Sequence, residues 1–162
     1  MVHGRESAKK LIITAAFCLM LALVCGGCAQ SKTAVASKDF ISKAQSLGLN
    51  TQDTTSDYAQ YDHVVNSTSA GKIEGNAILW QADFLTANAA DKAVAMFEAN
   101  KDNFDQLSGN LSMVSVGNYN IYEKTGDGQF MYLGRVDKTL LYIKVAEKYA
   151  GEAKELIEAL GY

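Results

Sequence analysis

The sequence predicts an α+β domain, a single antiparallel β-sheet with helices packed on one face. Three observations lead there. Segments beginning near Lys38, Ala89 and Glu152 carry apolar residues at helical spacing. The stretches between them alternate polar and apolar residues over strand lengths. Their connections are of hairpin length, which favours antiparallel pairing because parallel neighbours need long crossovers. The 162 residues, 48% hydrophobic and 20% charged, suit one globular domain.

The first helix is expected over Lys38–Leu47, with Ser37 as N-cap, Asp39 in the first turn and Gly48 as the stop. Phe40, Ile41, Ala44 and Leu47 make its apolar stripe. Asn50–Asp57 reads as a polar connector, Tyr58–Val65 as a strand and Asn66–Lys72 as a turn or loop. Ile73–Leu85 reads as a longer strand with Ile78, Trp80, Ala82 and Phe84 on one face. Asn88 is the expected cap of a second helix from Ala89 to about Leu107, with Asp91 in its first turn. Ala90, Ala93, Val94, Phe97, Phe104 and Leu107 form its stripe, and Ser108-Gly109-Asn110 ends it.

The remainder is β-rich. Leu111–Val116 and Tyr119–Lys124 are strands parted by Gly117-Asn118, and Thr125–Gly128 is a hairpin turn. Phe130–Val136 and Thr139–Ala146 pair across Asp137-Lys138. In the last strand Leu141, Ile143 and Val145 share one face, and Leu140, Tyr142 and Lys144 the other. A closing helix over Glu152–Leu160 carries Ala153, Leu156, Ile157 and Leu160 at helical spacing, ended by Gly161.

The N-terminus reads as an address. Arg5, Lys9 and Lys10 precede the uncharged run Leu11–Val24, followed by Cys25-Gly26-Gly27-Cys28-Ala29. A basic head, an apolar middle and a small-residue exit describe a secretory signal peptide. Gly26-Gly27-Cys28 resembles the end of a bacterial lipobox, with Cys25 where an aliphatic residue is typical. That resemblance implies cleavage between Gly27 and Cys28, a diacylglyceryl group on the Cys28 thiol, and fatty acylation as the anchor. Two other readings stay open: secretion after a cut behind Ala29, and an uncleaved anchor over Leu11–Ala29.

On the lipobox reading the chain divides into a signal peptide (1–27), a lipidated cysteine with a short tether (28–37) and a single domain (38–162). All three cysteines, Cys18, Cys25 and Cys28, lie in or beside the signal. The mature domain then has no cysteine beyond Cys28, which suits an oxidising exterior. Loss of Arg5, Lys9, Lys10 and Glu6 with residues 1–27 takes the net charge from −3 to −5. An acidic domain disfavours nucleic acid as partner and does not cling to anionic lipid by charge, so the lipid must do the anchoring. The expected location is the cell membrane, facing outside the cytoplasm.

A second resemblance covers most of the mature chain. Gly48-Leu49, the helix ending near Asn103, Arg135-Val136-Asp137-Lys138-Thr139-Leu140-Leu141-Tyr142 and the terminal Leu160-Gly161-Tyr162 are similar to a group of small, uncharacterised bacterial lipoproteins. It implies no activity.

Chemistry is sparse. After cleavage His63 is the one histidine and no zinc set of nitrogen and sulfur ligands assembles. Asp53, Asp57 and Asp62 lack the spacing of a calcium loop. No nucleophile motif is present, and Gly126-Asp127-Gly128 is a hairpin turn that opens no helix for a phosphate. Asp83 with Glu123 is a candidate acid–base pair carried by residue type alone. No cofactor, metal or catalytic residue is assigned.

The aromatics are the remaining lead: Trp80, Tyr58, Tyr61, Tyr119, Tyr122, Tyr132 and Tyr142 all fall on predicted strands. If Leu141 and Ile143 face the helices, then Tyr122, Tyr142 and Lys144 form the candidate binding face on the open side. The expected function is a non-catalytic binding or interaction module for a protein or glycan. The alternatives are a small carboxylate-using enzyme and a structural envelope component.

Overall fold

The computed structural model describes residues 31–162. Among them the chain forms three α-helices and a seven-stranded sheet, an α+β fold. In chain order these are α1 (Ser37–Ser46), β1 (Asn50–Asp53), β2 (Val64–Glu74), β3 (Ala77–Ala87), α2 (Ala90–Asp105), β4 (Asn110–Val116), β5 (Tyr119–Gly126), β6 (Gln129–Val136), β7 (Thr139–Ala146) and α3 (Ala150–Leu160). Short 3₁₀ turns cover Thr55–Tyr58 and Glu147–Tyr149. The sheet order is β1-β2-β3-β7-β6-β5-β4, antiparallel throughout. No helix among the described residues is long and apolar enough to cross a membrane.

Four of the six pairings are antiparallel because their connections leave no room for a crossover. Two-residue loops join β2 to β3, β4 to β5, β5 to β6 and β6 to β7. At Asp127-Gly128 both residues hold positive φ, 51° and 72°, the type I′ geometry whose twist matches the flanking strands. Two connections are longer: the segment 54–63 between β1 and β2, and the one between inner β3 and edge β4, which α2 fills.

The register in β7 is the expected one. Leu141, Ile143 and Val145 join Trp80, Ala82, Phe84, Phe130 and Tyr132 in the larger core, beneath α1 and α3. Phe40 of α1 stacks on Phe84, ring centres 4.8 Å apart. Ala153, Leu156, Ile157 and Leu160 seal it from α3. Gly161 ends α3 in the left-handed region, φ 74°, where a side chain is strained, and this turns Tyr162 back into the core.

One expectation about layering is corrected. Only α1 and α3 share a face; α2 lies on the other, where Ala93, Phe97 and Phe104 cover Tyr122, Met131, Leu133 and Leu140. Both faces of β6 and β7 are therefore apolar, and each needs a cover. The uninterrupted apolar run Phe130–Leu133, buried on both faces, is the sequence trace of this sandwiching.

Several local expectations are also corrected. Tyr58–Val65 is not a strand: Thr55–Tyr58 is a 3₁₀ turn and β2 begins only at Val64. Ile73–Leu85 is not one strand, because the chain turns back at Gly75-Asn76 between β2 and β3. Asn50–Asp57 is not a plain connector: Asn50–Asp53 pairs with β2 as an edge strand. Asn66–Lys72 is not a loop but the middle of β2, with Ser67, Thr68, Ser69 and Ala70 buried. Its small side chains admit α1 at close range, and its hydroxyls are satisfied. Ser69 Oγ donates to Asp83 at 2.5 Å and Ser67 shares a hydrogen bond with Thr54 at 2.9 Å. Ile78 lies beyond the helices and is 62% exposed, although Trp80, Ala82 and Phe84 on the same strand are buried.

The helix caps differ too. The N-caps are Ala36 and Ala89, with no side-chain bond. Ser37 instead donates to Asn66 Oδ1 at 2.7 Å, and Asn88 Nδ2 reaches the Asp62 carbonyl. Both hydrogen bonds tie a helix start to the β2 region.

Candidate functional site

The candidate site is a groove of about 540 Å³ where α2 passes the segment between β1 and β2. Tyr58, Tyr61, His63 and Val64 form one wall; Lys92, Ala95, Met96, Ala99 and Asn100 form the other. On α2 these positions recur at i, i+3, i+4, i+7 and i+8. They make a second stripe beside the core stripe of Ala93, Phe97 and Phe104.

The aromatic wall is held by short-range hydrogen bonds. The Thr54 amide donates to the Ser67 carbonyl, and the Ser67 amide donates to Thr55 Oγ1 at 3.0 Å, which pins the 3₁₀ turn to β2. The Tyr61 amide donates to the Tyr58 carbonyl, and the Asn88 amide to the His63 carbonyl, each at 2.9 Å. The Tyr58 and Tyr61 rings stand 6.3 Å apart, and Tyr61 and His63 5.8 Å, all mutually tilted. Burial, with the nearby Asp83 carboxylate, raises the Tyr58 phenol above its ordinary value, so it stays a neutral hydrogen-bonding group. Tyr61 and Lys92 are exposed at the rim.

The groove lies at one end of the sheet. Val64 pairs with Ala87, Thr86 with Thr139 and Val136 with Thr139, so the start of β2 and the end of β3 sit beside the β6–β7 turn. Residues preceding α1 dock at that same end. The Lys32 amide donates to Asn118 Oδ1 (3.2 Å), Asn118 Nδ2 donates back to the Lys32 carbonyl (2.7 Å), and Lys32 Nζ donates to the Gly161 carbonyl (2.8 Å). Ala34 and Val35 pack against the larger core. The tether expected over 28–37 is thus seated on the domain from Lys32 onward.

The expected binding face is rearranged. Tyr122 is buried under α2, edge-on to Phe104, and its hydroxyl donates to Asp105 Oδ1 at 2.6 Å. Tyr142 lies on the same side, half-buried against Phe104. Lys144 is exposed, two residues further on. Tyr122 is therefore a packing residue. Cys28 and the expected Gly27–Cys28 cleavage position lie outside the described residues, as does the expected signal segment 1–27.

Acid–base chemistry gains nothing from the fold. Asp83 faces the α2 side, where it accepts from Ser69 and Gln81 Nε2 (2.8 Å). Glu123 faces the other side and pairs with Lys154 at 3.0 Å. The two carboxylates are separated by the sheet because Tyr122 and Glu123 alternate along β5. His63 Nδ1 is 3.5 Å from the exposed Asp62. No cluster of three His, Cys, Asp or Glu that could hold a metal occurs among the described residues.

No protein-family model, curated protein or solved structure matches this chain. The functional reading rests on the groove itself.

Proposed function

We propose that this chain is a lipid-anchored, extracytoplasmic binding protein, non-catalytic, that holds a small amphipathic ligand in the groove between α2 and Tyr58–Val64. The observation that carries this reading is the lining of that groove. Tyrosine, histidine, alanine and methionine offer apolar and ring surfaces, and Lys92 is a single cation at the rim. Such a site suits a molecule with an apolar body and an anionic or polar end.

The anchor reading adds a spatial argument. Cys28 is four residues before Lys32, and four residues span at most about 14 Å. A lipid on Cys28 would therefore hold the groove end of the sheet close to the bilayer, where amphiphiles are concentrated. Two or more acyl chains give stable attachment where a single chain gives a marginal one.

Two measurements test the two parts separately. Cells fed a labelled fatty acid should label the full chain and not Cys28→Ser; a Cys28→Ser chain that still takes label overturns the anchor. A photoreactive amphiphile fed to the same cells should crosslink to peptides spanning residues 58–64 and 92–100, and Tyr61→Ala should reduce that yield several-fold. Crosslinks scattered over the surface, or unchanged in Tyr61→Ala, overturn the groove. Labels on Cys28 and in the groove fall in different peptides, so each outcome is read independently.

A further inference from the structure

The two edges of the sheet are built differently. β1 is four residues long, ends in Asp53, and is contacted by α1 and β2. β4 is seven residues long, Asn-Leu-Ser-Met-Val-Ser-Val, exposed along nearly its whole length. It contains no charge and no proline. Its pairing with β5 runs from Asn110↔Thr125 to Val116↔Tyr119 without a bulge. Long, uncharged, regular edges are what monomeric sheet proteins avoid, because the outward backbone groups template another strand.

The register tells which groups face out. The two-residue loop Gly117-Asn118 closes on Val116 and Tyr119 as a hydrogen-bonded pair. Alternation then turns the backbone groups of Val114, Ser112 and Asn110 towards β5, and those of Leu111, Met113 and Ser115 outward. Leu111 and Met113 stand opposite Lys124 and Tyr122, so their side chains lie on the α2 face, 50% and 60% exposed.

We propose that β4 pairs with β4 of a second copy of this chain, antiparallel about a two-fold axis midway between the two Met113 residues, joining two sheets into one. An antiparallel two-fold in a continuous sheet must be perpendicular to it and pass midway between two copies of one residue. Centred on Met113, it sets Met113 opposite Met113 and Leu111 opposite Ser115, in both directions. All three outward residues of each copy then pair. A centre at Ser112 or Val114 leaves one of them without a partner inside the strand. The occupant is a second copy because the edge is self-complementary: with no charge between Asn110 and Val116, a symmetric pairing sets no like charges opposite one another. It also brings the exposed Leu111 and Met113 of both copies into one apolar row.

The test uses the full chain extracted in detergent. The wild type should sediment as a dimer. Met113→Lys, which opposes two ammonium groups at the axis, should weaken dimerisation about tenfold or more with the circular dichroism spectrum unchanged. Met113→Cys should form a disulfide-linked dimer beyond any seen in the wild type, since a hydrogen-bonded antiparallel pair places its Cα atoms about 5.5 Å apart. Val94→Cys, exposed on α2, should not. A monomeric wild type, equal crosslinking at both positions, or a monomer that captures only foreign extended peptides overturns the proposal.

Discussion

The two faces of the sheet are covered by unequal means. On one, α1 and α3 lie side by side and close a continuous core from Phe40 to Tyr162. On the other, α2 alone covers a smaller cluster around Phe97 and Phe104. One helix cannot roof seven strands, so α2 leaves its flank open beside the Tyr58–Val64 segment, and the groove forms there. Polar groups occupy further uncovered sheet on that side, with Ser69, Asp83 and Gln81 bonded to each other. The two-helix face carries the larger core, and the one-helix face carries the smaller core and the groove.

The comparison breaks most severely at Ile143. This side chain is fully buried on the two-helix face. Ile143→Asp should cost several kcal/mol, since an unpaired carboxylate is forced into an apolar site, and the far-ultraviolet dichroism at ambient temperature should be that of an unfolded chain. Gly134→Ala tests the same face more gently. A Cβ there would stand 2.6 Å from Tyr162 Cδ1 and 2.7 Å from Tyr132 Cε1. The rings must shift, for a loss of about 2 kcal/mol in a denaturant titration.

Tyr122→Phe probes the one-helix face. It removes the bond to Asp105 and should cost about 1 kcal/mol. The pH dependence sharpens this. The Asp105 hydrogen bond, joined by burial, pushes the Tyr122 phenol from an ordinary value of 10 up to about 12. A raised folded-state value stabilises fully below the unfolded value and fades as pH rises through the folded one. Stability should therefore fall between about pH 10 and 12, and Tyr122→Phe should flatten part of that fall. Tyr132 and Tyr162, raised chiefly by burial on the other face, contribute to the remainder, as do Tyr58 and Tyr142. The smallest effect belongs to Lys144→Ala, which should change the unfolding midpoint by no more than about 0.5 kcal/mol, because the side chain is solvated.

Much of the fold was legible locally. β7 and the alternation of Leu141, Ile143 and Val145 against Tyr142 follow from a period of two, and the stripe of α3 from a period of 3.6. Gly117-Asn118 and Asp127-Gly128 signal hairpins through turn chemistry. β2 was illegible because Asn66–Lys72 has loop composition. It is a strand by virtue of neighbours on both sides, and its serines and threonines are buried because other side chains satisfy them. Tyr122 was misplaced for a related reason: alternation assigns a face but does not say whether a helix covers it.

What the sequence determined by itself was therefore local: the α+β class, the hairpins from β4 to β7, the alternation of faces along β7 and the apolar stripes, each dictated by neighbours a few residues apart. Only the tertiary structure decided that α2 crosses to the far side of the sheet, that Tyr58, Tyr61 and His63 meet Lys92 and Met96 across a groove, and that β4 is left as the open edge. These depend on which of two apolar faces a helix covers. Both faces of β6 and β7 carry apolar side chains, so no local pattern assigns a helix to one of them.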